Sequence, residues 1–168
     1  RFNREIHLRD SEVYVASTNG INVYSYSETS NQLVYQRTLL EAIETLDFNF
    51  DSQNRIWAGT YQKGLFVIET QNTKKVVLYD SQVDTYTVRS IEFDREINAL
   101  ISVEGVGMLV IDQDLNIVKT LKHDPNKLNS LSQNSIYEIF VDDENVYWLG
   151  MREIGIDLIF PKDNAFNN

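Results

Sequence analysis

Short apolar runs separated by polar turns repeat from one end of the chain to the other, and no helical periodicity of useful length interrupts them. Residues 55–69 show the unit most fully. An apolar run with Ile56 and Trp57 leads through the polar turn Tyr61-Gln62-Lys63-Gly64 into a second run, Leu65-Phe66-Val67-Ile68. This pattern predicts a β-hairpin, with Gly64 where the turn demands a positive φ. Weaker copies stand at residues 13–26, 97–111 and 146–160, and each has the order strand, short turn, glycine, strand. The only helical candidate, residues 39–46, is too short to be stable alone.

The turn glycines Gly20, Gly64, Gly107 and Gly155 recur at an interval in the forties. A period of that length without helices is the mark of a four-stranded β-propeller blade, whose faces are buried only against neighbouring blades. The expected fold is therefore all-β, a partial β-propeller of about four blades of four antiparallel strands, with blades at approximately 1–41, 42–83, 84–124 and 133–168. The last blade is expected to be incomplete, because Pro161 follows its third strand and few residues remain. Outer strands are expected at 33–39, 75–79 and 116–120. Residues 122–135 read as an inter-blade loop.

Composition narrows the function classes. A hydrophobic content of 42% over 168 residues supplies one core. A formal net charge of −10 disfavours nucleic acid, whose capture relies on basic patches. No apolar run reaches the ~20 residues of a membrane helix, so this piece is not expected to insert into a membrane. There are no cysteines, which removes disulfides and thiolate metal sites. Because the chain starts at Arg1 rather than methionine, it reads as a piece of something longer.

Chemistry-bearing residues are sparse. His7 and His123 are the only histidines, and no local motif makes either a catalytic or metal-binding residue. The pair Asp142-Asp143 reads first as a turn and only second as a calcium site. No catalytic residue, metal or cofactor is expected. Trp57 and Trp148 occupy equivalent strand positions, which predicts burial of both between sheets. Candidate ligand contacts lie in the loops joining second and third strands: Asn19, Tyr61, Gln62, Lys63, Glu104, Arg152 and Glu153. An aromatic ring beside amides, carboxylates and a guanidinium suits a sugar, although each of these residues taken singly reads as an ordinary solvated turn residue.

Residues 50–60, FDSQNRIWAGT, followed by Gly64-Leu65, resemble the two-component-regulator propeller repeat. The interval from Asp to Trp recurs in Asp142 to Trp148. Asp124-Pro125 with Asn129-Ser130-Leu131-Ser132 and Ile136 resembles the linker that precedes such repeats. The third copy departs from the pattern with Leu100 and Ser102, the first with Tyr14 and Ala16, and the doubled glycine is replaced by Lys63, Val106 and Ile154. The resemblance implies a periplasmic, ligand-sensing portion of a hybrid two-component sensor histidine kinase of the Bacteroidetes type. Its expected ligand is an oligosaccharide or other small molecule, and its output is control of polysaccharide-utilisation genes.

Two other classes stay open: a protein-interaction scaffold and, ranked last, a propeller lyase or glycosidase. Seven blades of about 44 residues, the usual count implied by the resemblance, need roughly 310 residues. The exposed ends of this shorter array are therefore expected to be covered by the remaining blades of the parent protein, and the isolated piece is expected to form a homodimer.

Overall fold

The structure, a computed structural model, describes residues 3–69, 72–76 and 85–161. It is all-β among these residues and consists of four antiparallel sheets, each built from strands consecutive in sequence. The first sheet contains β1 (Asn3–Arg9), β2 (Glu12–Ser17), β3 (Gly20–Ser27) and β4 (Gln32–Leu39). The second contains β5 (Thr45–Phe50), β6 (Ile56–Thr60), β7 (Gly64–Glu69) and β8 (Asn72–Val76). The third contains β9 (Val88–Phe93), β10 (Ala99–Val103), β11 (Gly107–Ile111) and β12 (Ile117–Leu121). The fourth has three described strands, β13 (Ile136–Val141), β14 (Tyr147–Met151) and β15 (Ile156–Ile159). Residues 39–46 hold the end of β4, a turn and the start of β5, not a helix. The second outer strand ends at Val76, and the remainder of its expected span, 77–79, lies outside the described residues.

The sheets stack through side chains. One face of the first sheet, with Tyr14, Ala16, Ile21 and Val23, packs on Phe48, Ile56 and Ala58 of the second. Trp57, Leu65 and Val67 from the far face of the second sheet meet Val88, Ile91, Ala99 and Ile101 of the third. Leu100, Met108 and Val110 then meet Ile136, Ile139, Tyr147 and Leu149 of the fourth. At each joint, alternate residues of the strands serve opposite faces, so every sheet is apolar on both sides.

Two glycines show why the repeat needs them. Gly107 has φ +112, and a Cβ there would lie 2.2 Å from the Leu121 carbonyl oxygen, so the outer strand leaves no room for a side chain. Gly59, in the segment Trp57-Ala58-Gly59, lets β9 approach: a Cβ would meet Val88 at 2.7 Å.

Turns between first and second strands are built on an aspartate. The Asp51 carboxylate accepts from the Gln53 and Arg55 N–H groups at 2.9 and 2.8 Å, and Asp142 does the same for Glu144 and Val146, both at 2.9 Å. Asn54 and Asn145 close these turns with positive φ. In the third sheet Asp94 accepts from the Asn98 N–H at 2.8 Å, and Ile97 adopts the positive φ that asparagine takes elsewhere. Turn chemistry survives where the small residues are lost, because the aspartate supplies it.

Trp57 is buried as expected, at 1% exposure, with Phe93 edge-on at 5.8 Å. Trp148 corrects the expectation that both indoles lie between sheets. It is 40% exposed, since no described sheet follows β13–β15 to cover that face. Its neighbours Phe140, Ile156 and Leu158 are exposed too. The equivalents of Ile156 and Leu158 are Leu65 and Val67 in the second sheet and Met108 and Val110 in the third, all buried.

Residues 122–135 form a tied-down loop. Asp124 and His123 donate backbone N–H groups to Ser130 Oγ at 3.0 Å and Asn134 Oδ1 at 2.7 Å, and the Leu131 side chain is buried beneath.

Candidate functional site

Each sheet presents two rims. Along one run the aspartate turns, whose polar groups are largely spent on cross-sheet bonds: Arg9 donates to Asn54 Oδ1, Arg55 Nη2 to the Gln113 carbonyl at 3.0 Å, and Tyr147 Oη to Asp94 Oδ2 at 3.0 Å. Along the other lie the loops between second and third strands together with the segments entering the first strands. Tyr61 N–H donates to the Glu44 carbonyl at 2.9 Å, Glu104 N–H to Thr87 at 2.9 Å, and Arg152 N–H to Ser135 at 3.0 Å. The same loop therefore recurs in three sheets with the same backbone anchor, which holds its tip rigid while the side chains vary.

Asn19 lies in the first of these loops, its N–H donating to Ser17 Oγ at 3.2 Å. In the second, Tyr61 is exposed beside exposed Gln62 and Lys63, and the Gln62 N–H donates to Thr87 Oγ1 at 3.2 Å. The third and fourth loops meet. Glu104 is ion-paired with Arg89, accepts from Ser135 Oγ at 3.0 Å, and stands 3.7 Å from Arg152 Nη1. Arg152 lies equally close to Glu153, with Nε 3.7 Å from its carboxylate. Burial pushes the Glu104 carboxyl up, but the hydrogen bonds from Arg89 and Ser135 and the charge of Arg152 outweigh it, and the group sits below the usual carboxylate range.

Glu104, Arg152 and Glu153 thus form one cluster, while Tyr61-Gln62-Lys63 and Asn19 belong to loops of other sheets. The sequence reading missed Arg89, Tyr137 and Ser135. Arg89 lies over the Tyr137 ring, 4.6 Å from its centroid, so a cation–π contact and an ion pair fix one guanidinium. Gln133, with its amide oxygen turned towards its donors, accepts from the Arg152 and Glu153 N–H groups at 2.7 and 3.2 Å. Arg89 and Tyr137 sit inside first strands, where the alternation reads as packing, and only the fold shows that they point to the loop cluster. The cluster offers a fixed carboxylate and a half-exposed guanidinium, and the neighbouring loop adds exposed tyrosine and amide groups, all able to form hydrogen bonds.

The histidines stand apart. His7 packs 4.7 Å from the Phe48 ring and 3.5 Å from Glu5, and His123 Nδ1 lies 2.6 Å from the Leu131 carbonyl oxygen. Asp142 spends its carboxylate on its own turn and on the Trp148 indole N–H. A cavity of about 510 Å³ opens elsewhere, between Leu128–Ser132 and the outer edge of β15.

Four separate, radially packed antiparallel sheets of consecutive strands define a segment of a β-propeller. Solved structures agree on that fold. The extracellular domains assigned to the hybrid two-component systems BT4673 and BT3049 of B. thetaiotaomicron match 94% and 95% of this chain, with TM-scores of 0.74 and 0.75 at 22% and 21% identity. The chain spans 21% of the length of each. The WD40 propeller domain of Doa1 matches 98% of the chain and 51% of its own length, at TM-score 0.68 and 7% identity. No family model and no curated protein matches the chain. Among the described residues, no helix is long and apolar enough to cross a membrane.

Proposed function

We propose that this chain is part of the periplasmic, ligand-sensing region of a hybrid two-component sensor histidine kinase anchored in the inner membrane. It takes no part in catalysis itself. Its loop rim contacts an oligosaccharide, and the signal controls polysaccharide-utilisation genes through kinase and output modules elsewhere in the parent protein. The observation that carries this reading is the overlay of almost the whole chain on two extracellular domains of such systems. The loop chemistry supports it: Tyr61 and Arg152 are solvent-facing on backbone that neighbouring strands hold still. Further blades of the parent protein cover the exposed apolar faces, and in the isolated piece a second copy does so.

Calorimetry of the complete parent ectodomain against a panel of oligosaccharides tests the reading. Heat from one sugar class, lost when Tyr61 and Arg152 are both replaced by alanine, supports it. Binding of a protein partner with no response to any sugar would replace it with a scaffold role. Turnover of a glycan would replace it with an enzyme.

A further inference from the structure

One contact repeats at the joints between sheets. A residue of the second strand in one sheet meets a residue near the end of the first strand in the next. Tyr14 meets Phe50 edge-on at 5.1 Å, and Trp57 meets Phe93 edge-on at 5.8 Å. Leu100 and Val141 take the same places in the core between the third and fourth sheets. A cap accompanies the contact. The innermost strand of a sheet has one edge without a ladder partner, and side chains of the preceding sheet satisfy it: Asp47 Oδ2 accepts from the Ile91 N–H at 2.6 Å, and Ser90 Oγ from the Ile139 N–H at 3.0 Å.

The two ends of the array carry the two unmatched halves of this pattern. By strand register, Trp148 stands at the place of Tyr14, Trp57 and Leu100, and Glu138 at the place of Asp47 and Ser90. At the other end Leu8 stands at the place of Phe50, Phe93 and Val141, and Ile6 at the place of Ile91 and Ile139. Neither half is covered among the described residues: Trp148 and Ile156 are 40% and 64% exposed, Ile6 and Leu8 59% and 75%. Beside Leu8, the cross-strand pair Tyr26 and Leu33 extends the apolar face on the side of the first sheet turned away from the second, and both are exposed.

We propose that the open face of the fourth sheet takes the open face of the first sheet of a second copy, head to tail, with Trp148 against Leu8 and the Glu138 carboxylate capping the Ile6 N–H. This rests on the reading that a second copy covers the open faces of the isolated chain, and it assigns which faces meet. The contact continues the joints inside the chain, each of which sets a second-strand residue on the first strand of the following sheet. Ser90 Oγ donates to one Glu138 oxygen at 3.2 Å and steadies the carboxylate, whose other oxygen takes the cap. The alternative, two fourth sheets face to face, gives Glu138 no such donor, because the Ile139 N–H is already capped, and it leaves Leu8 and Ile6 in water. Unlike faces meeting make a heterologous contact, and two arcs of four sheets joined at both ends close a ring of eight.

The test uses the 168-residue chain with Ile156→Glu on the fourth sheet or Leu8→Glu on the first, both at exposed positions. Light scattering should give twice the 19.5 kDa mass for the unaltered chain and the single mass for each variant alone. Mixed in equal amounts at high concentration, the variants should associate again, since one keeps a sound first sheet and the other a sound fourth. A mixture that stays monomeric, or a dimer that only one of the two substitutions breaks, overturns the head-to-tail joint while cover by a second copy stands. A monomeric unaltered chain overturns both. If either variant does not fold, cysteine decides, because the chain has none of its own. Leu8→Cys and Trp148→Cys chains should be linked by a short bismaleimide when mixed and not when alone, and linkage of the Trp148→Cys chain to itself overturns the proposal.

Discussion

The indole N–H of Trp57 donates to Asp51 Oδ2 at 2.8 Å, and that bond accounts for the fixed interval between aspartate and tryptophan in the repeat. Asp142 and Trp148 form the same bond at the same distance. One carboxylate therefore closes the turn and anchors the ring, so the motif specifies a hydrogen-bonded unit rather than two independent residues. The two copies differ in what lies over the ring, and that difference is measurable.

Replacing Trp57 by alanine should cost about 3–5 kcal/mol, because the ring fills the joint between the second and third sheets. Replacing Trp148 in the same way should cost clearly less, since it is 40% exposed where Trp57 is 1%. Urea denaturation of both variants checks this, and equal losses would refute the burial difference.

Gly59→Ala should destabilise by about 1–3 kcal/mol, because the new methyl meets Val88 of the next sheet. Gly150→Ala, at the matching place in the fourth sheet, meets only Glu138 at 3.5 Å and should stay within about 0.5 kcal/mol of the parent. Thermal melts of the two variants should separate them clearly.

Acid should unfold the protein through Asp51. Burial raises its carboxyl, but bonds from Trp57 and Arg55 prevail and hold it below the usual value of 3.8. A depressed carboxyl contributes stability above the ordinary carboxylate range and loses it as pH falls through the folded value. Asp51→Asn should accordingly be less stable than the parent at pH 6, with the gap narrowing towards pH 2–3. A gap that stays constant with pH would rule out this origin.

Glu104→Ala should destabilise more than Arg152→Ala. The first strands Arg89 and Ser135 without their shared acceptor, whereas Arg152 is half exposed and paired only at long range. In the parent receptor, the Tyr61→Ala, Arg152→Ala double variant should lose the response to its inducer with a nearly unchanged melting temperature. Intact signalling would move the site off this rim.

Light scattering on the 19.5 kDa chain should report a dimer at micromolar concentration, because Phe140, Trp148, Ile156 and Leu158 form an uncovered apolar face. A monomer with a cooperative melt would show that the face tolerates water.

Much of the architecture was legible because it is local. Alternating strands, the glycine interval and the aspartate turns each depend on residues close in sequence, and the fifteen described strands lie in antiparallel sheets of consecutive strands. Trp148 was misread because equivalence within a repeat says which face a ring occupies, not whether another sheet lies over it. Arg89, Tyr137 and Asp47 were missed for a related reason. Their partners Glu104 and Ile91 are separated from them by a turn or a whole sheet, and first-strand periodicity looks the same whether a side chain packs, pairs or caps.

Because no backbone ladder runs from one sheet to the next among the described residues, the arc is mechanically anisotropic. Force applied around the arc opens one side-chain joint at a time, while force along a strand must shear several hydrogen bonds together. A load transmitted through such a body should therefore change its curvature before it disturbs any sheet, and curvature is the coordinate along which neighbouring loops part or close.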